Sequence, residues 1–497
     1  MEFIRNFPFF SILLPMVSGP ISSCLSGKTA KKISLTILSI DCVLSAAVLW
    51  YVRTQDGMFT YKMGNYPAPF GNEIRIGTLE AFMALFFCIV MLLSLWGGLN
   101  HVKQDVPEEK TNLYFILINL LLSSLLALIY TNDLFTAYVF IEINTISACG
   151  LIMVRGWGRN ILAAIKYMIM SLLGSGLVLI SLSILYGITG HLLMENIHDA
   201  AVQIMEQQTY VEPLTVAIGL FCVGIAIKSA LFPFHAWLPD AYSYSTCSSS
   251  AILSSLVSKG YIFLLIKFFY RVIGTDIIRQ THVDNVLFIF GIAGMIVGSL
   301  SAIQQTDAGR MIAFSSVAQI GYIYMGFGLS TEAGMIASVF HILSHAASKS
   351  MLFVSATGLS EVSGGNTFYR SLTGAGYRHP LAGIAFSVGS FSMVGIPLLA
   401  GFTSKVYFAE AAFTASRGKM VVTLIALAIS TVLNAMYFLR QVITIYTPAR
   451  DVPRPEGYRP SRSMCAALAL FIVMNFLLGM CSHPIFLWIQ DGLANFS

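Results

Sequence analysis

The chain has 497 residues, of which 56% are hydrophobic and 11% charged, with a net charge of +5. An ordinary globular domain is about 25% charged, so a mean hydropathy of +0.76 excludes a large soluble protein and points to a chain embedded in a lipid bilayer. The positive charges form no basic run, which excludes a nucleic-acid surface.

A helix crossing the hydrocarbon core needs about 20 apolar residues. That ruler predicts about fourteen spans in chain order: 8–26, 32–53, 78–98, 112–131, 133–154, 162–187, 213–233, 247–272, 284–305, 311–329, 332–358, 380–413, 419–444 and 463–490. Interruptions are expected near 233, 345 and 397. The polar connections, roughly 54–77, 189–212, 273–283, 359–379 and 445–462, are each too short for an independent core. Residues 1–497 therefore read as a single, all-α polytopic membrane domain.

Loop charge predicts orientation. Lys28, Lys31 and Lys32 follow the first span, Arg155 and Arg159 the fifth, and Arg450, Arg454, Arg459 and Arg462 precede the last. The loop after the sixth span instead carries Glu195, Asp199, Glu206 and Glu212. The positive-inside rule then puts odd-numbered loops in the cytoplasm and both termini outside, with Arg417 and Lys419 dissenting. The first apolar stretch reads as a span, because Arg5 is a thin n-region and no small-residue cleavage site follows.

The eight cysteines are scattered without a C-x-x-C pair, so neither a disulfide framework nor a zinc or iron–sulfur ligand set is expected. The glycines form neither G-x-G-x-x-G nor G-x-x-x-x-G-K-[ST], so no nucleotide site is expected. No cofactor is expected on this chain, and any redox or fuel-binding chemistry belongs to other chains.

Four charged residues stand inside apolar segments: Glu142, Lys228, Lys259 and Lys405. A charge near the bilayer centre costs at least ~2.5–3.5 kcal/mol, so each needs a partner or a water-filled cavity. Several in one chain predict a buried, titratable polar track.

Two segments interrupt their spans alike. Pro233 follows Lys228 and precedes His235; Pro397 lies between Gly395 and Gly401, just before Lys405. Proline removes a helical hydrogen bond, and the freed carbonyls need protein or water. Breaks at matching places in two halves predict internal repeats with a transport site near the midplane; a pair of simple kinks is the bland alternative.

Desolvation disfavours the charged form of an isolated Glu142 or Lys228, whereas an ion pair would hold both ionised. At ~4 Å and an effective dielectric of ~20, the attraction is about 4 kcal/mol. Separating them would make Lys228 shed its proton; a static staple between two helices is the alternative. Lys259 sits among Ser254, Ser255 and Ser258, with room for water, and reads as a relay station or a structural lysine. His341, His345 and Lys349, spaced i, i+4, i+8, share one helix face. Two histidines so spaced can bind a metal, but no H-E-x-x-H glutamate is present and the lysine repels cations, so no metal site is expected. A proton relay fits better, with hydrogen-bonded core histidines as the alternative. Asp41 is an isolated carboxylate in the second span, facing a neighbouring subunit or a second ion path, or trivial if the span boundary is misplaced. Lys267, Arg271 and Arg440 lie near helix ends and are expected to snorkel. No G-x-S-x-G elbow supports hydrolysis.

These residues resemble a known family. The string Lys228-x4-Pro233-Phe-His235-Ala-Trp237-Leu-Pro239-Asp240-Ala241 is similar to the signature of antiporter-like membrane subunits. So are Asp133-Leu-Phe-x-x-Tyr-Val-Phe-x-Glu142, Ala164-Ile-Lys166-Tyr167, Asp307-x-x-Arg310-Met-x-Ala-Phe-Ser315-Ser-x-x-Gln319-x-Gly321 and Gly395-Ile-Pro397-x3-Gly401-Phe-x-x-Lys405. Such subunits occur in respiratory complex I, Mrp-type cation/proton antiporters and membrane-bound energy-converting hydrogenases. The match runs from roughly 112 to 445.

The resemblance implies fourteen helices, with flanking helices in 1–111, inverted five-helix repeats in 112–272 and 284–444, a last helix in 463–490, and broken seventh and twelfth helices. It implies a proton path along Glu142, Lys228, His235, Lys259, His341, His345, Lys349 and Lys405, with Glu142–Lys228 as the switch. It also implies other membrane subunits as partners in the plasma (inner) membrane of a bacterial or archaeal cell. Gln319, Lys405 and the His341/His345/Lys349 set look closest to the D-type subunits of Mrp antiporters and their hydrogenase relatives. The expected activity is proton movement, with exchange for Na+ left open. The alternatives are a proton-pumping subunit of a respiratory NADH:quinone oxidoreductase, a stand-alone solute carrier or a structural anchor. The chain departs from the family at Tyr242–Cys247, where a His and an Ala-Pro pair are usual, at Gly309 and at Leu398.

Overall fold

The computed structural model describes residues 2–55, 57–66, 71–448 and 458–496; Arg450 and Arg454, used above for orientation, lie outside the described residues. The chain opens with α1 (Phe7–Ser23), α2 (Gly27–Thr54), α3 (Thr78–Gly97) and the short α4 (Leu99–Asp105). Between α2 and α3, β1 (Phe59–Lys62) and β2 (Glu73–Ile76) form an antiparallel hairpin pairing Phe59 with Ile76, a small departure from the all-α expectation.

The first half continues with α5 (Thr111–Tyr130), α6 (Leu134–Met153), α7 (Gly158–Thr189), α8 (Met194–Gln207) and α9 (Val211–Lys228). After a break come α10 (Leu238–Tyr244), α11 (Cys247–Ile252) and α12 (Ser258–Lys267). The loop expected over 189–212 is largely the amphipathic α8, which buries Met194, Ile197, Ala201 and Ile204 at helical spacing. The second half holds α13 (Thr275–Gln280), α14 (Val283–Ile303), α15 (Ala308–Gly328), α16 (Glu332–Glu361), α17 (Ala375–Arg378), α18 (Pro380–Val394), α19 (Ala400–Phe413) and α20 (Arg417–Tyr446). The chain closes with α21 (Arg462–Met480) and α22 (Ser482–Ala494).

Among the described residues, 11 helices are long and apolar enough to cross a membrane, counting Cys247–Ile273 as one. The other expected spans fall on α1, on α16 and on α18 with α19, which are too short or too polar to count by that measure.

The order α5, α6, α7, broken α9–α10 and 247–273 recurs as α14, α15, α16, broken α18–α19 and α20. Local details recur with it. Asp133 caps α6 by accepting from the Thr136 amide at 2.6 Å, and Asp307 caps α15 by accepting from the Arg310 amide at 2.8 Å. Each aspartate also forms an isolated antiparallel bridge to the chain beyond the third helix of its own half, Asp133 with Leu193 and Asp307 with Phe368.

Three differences from expectation have local causes. The interruption expected near 345 is absent, and α16 runs unbroken from Glu332 to Glu361. The run Ser344-His-Ala-Ala-Ser-Lys349-Ser350 is polar but contains neither proline nor glycine, so helix propensity wins. Conversely, the last expected span is split at Cys481. Pro484 there has no amide to give the Met480 carbonyl, and Gly479 lets the backbone close on Leu399, whose carbonyl carbon lies 2.7 Å from where a Cβ would stand. Residues 247–273 contain two widened π-helical stretches, Leu253–Val257 and Phe268–Ile273, which apolar periodicity does not foreshadow.

Candidate functional site

In the first half, α9 stops at Lys228, five residues ahead of Pro233, because Ala230 adopts a left-handed φ of +60°. The Ile227 carbonyl, freed by the break, accepts from the Trp237 indole at 3.2 Å. Lys228 is 1% exposed. Its Nζ donates to Thr145 Oγ1 at 2.8 Å and lies 5.3 Å from the centre of the Tyr261 ring. Glu142 stands one turn before Thr145 on α6, half-buried, with Oε1 unpartnered. It lies within Coulombic reach of Lys228, but no ion pair joins the two; Thr145 holds the ammonium. Tyr261 donates to Asn144 Oδ1 at 2.9 Å, and Asn144 Nδ2 to Ser124 Oγ at 2.9 Å, extending the polar patch into α5. His235 sits half-buried at the break, its ring 5.6 Å from that of Phe232 and its Nδ1 unpartnered.

Lys259 is wholly buried just after the first widened turn, and its Nζ donates to the Ser254 carbonyl of that turn. The geometry has a plain cause: a widened turn loosens its carbonyls from the helical ladder and leaves them open to a side chain.

The face of α16 lies across from this group. Lys349 Nζ donates to the Ile312 carbonyl at 2.8 Å and to Ser315 Oγ. Lys259, His345 and Lys349 lie within Coulombic reach of one another. The His345 ring nitrogens have no hydrogen-bond partner among the described residues. Its ring parallels that of His341 within 13° at 6.0 Å, and His341 Nδ1 shares a 2.9 Å hydrogen bond with Ser404 Oγ. At the second break, Lys405 Nζ donates to the Val394 carbonyl, the last of α18, at 2.7 Å and to Thr431 Oγ1 at 3.0 Å. Gly395, at φ +94°, passes so close that a Cβ there would lie 3.0 Å from Lys405 Cδ. Pro397 falls in the five-residue gap between α18 and α19. Gly401, the second residue of α19, donates its amide to Ser392 Oγ at 3.1 Å.

The titratable groups thus fall into a row of two clusters, Glu142 with Lys228, and Lys259 with His345, Lys349, His341 and Lys405, with the neutral Tyr261, on the helix of Lys259, beside Lys228. The groups that complete it are uncharged: Thr145, Asn144, Tyr261, Ser315, Ser404 and Thr431. Apolar patterning does not single these out, although the position of Thr145, three residues from Glu142 on one helix face, is a usable signal.

Lys267 and Arg271 do not snorkel. They are 0% and 2% exposed, Lys267 donating to the Ile129 carbonyl at 2.9 Å and Arg271 pairing with buried Glu80. Lys267 thereby satisfies the carbonyl end of α5. Arg440 is exposed near its helix end. At the other face a cleft of about 1300 Å³ opens between the halves, lined by Arg155, Lys166, Asp240, Tyr242 and Arg310 among others. Asp240 bridges the halves there, binding Lys166 at 2.7 Å and Arg310 at 2.9 Å. Tyr242, at the departure from the family pattern, shares a 3.0 Å hydrogen bond with Ser258, the neighbour of Lys259.

Residues 131–432 match the family described as NADH:quinone oxidoreductase/Mrp antiporter, TM. The chain is 31% identical over 430 residues to the N-type NADH-quinone oxidoreductase subunit of Desulforudis audaxviator, covering 86% of this chain and 82% of the relative. It is 25% identical over 486 residues to the D-type Na(+)/H(+) antiporter subunit of Alkalihalophilus pseudofirmus, covering 97% and 95%. Among solved structures, a chain of an archaeal respiratory complex, the membrane-bound sulfane sulfur reductase, superposes with a TM-score of 0.88 at 25% identity, covering 98% of this chain and 97% of that one. A chain of the Mrp complex from Dietzia sp. DQ12-45-1b has the same fold, with a TM-score of 0.88 at 22% identity and coverage of 100% and 98%.

Proposed function

The chain belongs to the NADH:quinone oxidoreductase/Mrp antiporter transmembrane family, and from that premise we propose that it is an ion-translocating subunit of a multisubunit energy-converting membrane complex. Protons move along the Glu142, Lys228, Lys259, His345/Lys349 and Lys405 row. The observation that carries this reading is the placement of a lysine ammonium at each helix break, the buried Lys228 on Thr145 and the part-buried Lys405 on the Val394 carbonyl. Each ammonium is held by neutral acceptors that bind it without cancelling its charge. A passing proton or a charge on a neighbouring group can therefore change its protonation state, which a locked ion pair would resist. Glu142 acts through space on Lys228, and a tighter approach would load that lysine with a proton.

Relatives named as subunits of larger assemblies support neighbouring membrane subunits as partners and a driving reaction carried on other chains. The cleft lined by Arg155 and Arg310 faces the cytoplasm in the orientation read from loop charge, with both termini outside the plasma membrane. The proton is the primary ion, and Na+ exchange is a finer version of the same reading.

The test is Lys228→Ala in the assembled complex, with ion-pumping rate and subunit composition both measured. The expected result is at least a ten-fold loss of pumping from an intact complex. Full pumping from the variant would remove Lys228 from the mechanism.

A further inference from the structure

The flanking helices α1, α2 and α3 pack with α5, and the seam between them is polar. The buried face of α2 carries Ser34, Asp41 and Ser45. On one side of Asp41, Ser34 donates to Asn119 Oδ1 at 2.7 Å and Asn119 Nδ2 to Ser18 Oγ at 3.0 Å, tying α1, α2 and α5 through uncharged groups. On the other side, Ser45 lies 3.8 Å from Cys88 Sγ of α3. Beyond it, the Tyr130 hydroxyl at the end of α5 is buried without a partner, and the buried Glu80–Arg271 pair closes that end. Polar side chains therefore line this seam on both sides of Asp41.

Asp41 is 0% exposed near the middle of α2, and neither carboxylate oxygen has a hydrogen-bond partner. A misplaced span boundary does not explain it, since α2 runs from Gly27 to Thr54. An ionised carboxylate at such a place costs several kcal/mol, so it must carry either a proton or a bound cation. The titratable groups near it are Cys42 on its own helix, Glu80 and Cys88 on α3 and Tyr130 on α5; α1 offers none between Phe7 and Ser23. Glu80 is already neutralised by Arg271. The thiols and the phenol are ordinarily protonated near neutral pH, which leaves Asp41 as the one carboxylate of the seam without a counter-ion among the described residues. Hydroxyl and carboxylate oxygens are hard donors that suit alkali and alkaline-earth ions rather than soft metals. One free carboxylate balances one positive charge, which favours a monovalent ion over a divalent one.

We propose that Asp41 is the carboxyl of a second ion site, in the flanking bundle, where an alkali cation such as Na+ exchanges for a proton. The exchange is balanced: the Asp41 O–H bond breaks, the proton leaves toward the aqueous side, and one Na+ takes its place on the oxygen. The buried seam thus keeps its net charge. The proposal rests on the reading that this chain translocates ions, but it uses none of the lysine row.

The test labels the assembled complex in native membranes with a hydrophobic carbodiimide, which modifies buried protonated carboxyls, and maps the modified residue. Asp41 is expected to be labelled, and Na+ or Li+ to slow that labelling several-fold while choline does not. Asp41→Asn should abolish the label, and Ser45→Ala should weaken the Na+ protection in a complex that still assembles. Absence of label at Asp41, or label insensitive to alkali cations, overturns the site. Lys228→Ala separates the two readings: full pumping in that variant defeats the lysine row, while Na+-protected labelling of Asp41 would stand.

Discussion

At the residue scale, the lysines are kept by groups that a search for charges overlooks. A buried ammonium needs acceptors, not necessarily an opposite charge, and Thr145 supplies one to Lys228 at 2.8 Å. Thr145→Val keeps the shape and removes the acceptor. A hydrogen bond to a charged group is worth about 1.5–3 kcal/mol, so the variant should slow pumping by about ten-fold or more and shift its pH profile to lower pH, as Lys228 loses support for its charge. An unchanged rate and pH profile in Thr145→Val would show that Lys228 relies on some other partner. The charged members of the row are legible in the sequence because charges are rare in apolar segments. Their neutral holders are not, since serine and threonine occur throughout helices at little cost.

At the element scale, breaks and caps decide where the row sits. Both proline breaks are visible in the sequence, yet α9 ends at Lys228 rather than at Pro233. Pro233 has no amide for the Ser229 carbonyl, and the left-handed Ala230 turns the chain aside ahead of it, so the helix ends before the proline itself. The opposite case is the stretch around 345, where polarity suggests a break although nothing there opposes a helix. Start signals matter too. His379 begins α18, its Nδ1 accepting from the Ala382 amide at 3.2 Å, and the residue is 2% exposed. Burial pushes the His379 imidazole below its usual range, and nearby Glu361 offsets this only in part. The folded state therefore prefers the neutral ring. This stabilises the protein above the unfolded-state value of about 6.5 and is lost as pH falls from there through the folded-state value. Asn at the same position keeps a capping oxygen without titrating. In thermal melts, His379→Asn should match the parent at about pH 8 and lose less stability by about pH 5; parallel curves across that range would rule out the cap as the titrating element.

At the scale of the whole molecule, two similar halves meet around the row, and an external bridge helps to hold them. Asp240, just past the first break, takes Lys166 of its own half at 2.7 Å and Arg310 of the other at 2.9 Å, and Arg310 also donates to the Tyr244 hydroxyl at 3.0 Å. These groups are partly exposed, so Arg310→Gln should cost on the order of 1 kcal/mol. The loss should appear as faster hydrogen exchange in α10 and the first turn of α15, with the remaining helices unchanged. Uniform exchange rates in variant and parent would show that packing alone joins the halves.

Composition and local pattern suffice for the class of the molecule, most of its spans, the two proline breaks and the charged members of the row. Each of these follows from a local rule: apolar length, proline chemistry, or the cost of a charge in lipid. Packing alone settles which neutral group receives each ammonium, that Lys267 and Arg271 are buried rather than snorkelling, and that Asp41 stands without a partner in a polar seam. Those outcomes depend on which faces of distant helices meet. A hydrogen bond spanning 83 residues of chain, such as Lys228 to Thr145, leaves no periodic trace in the sequence around either end.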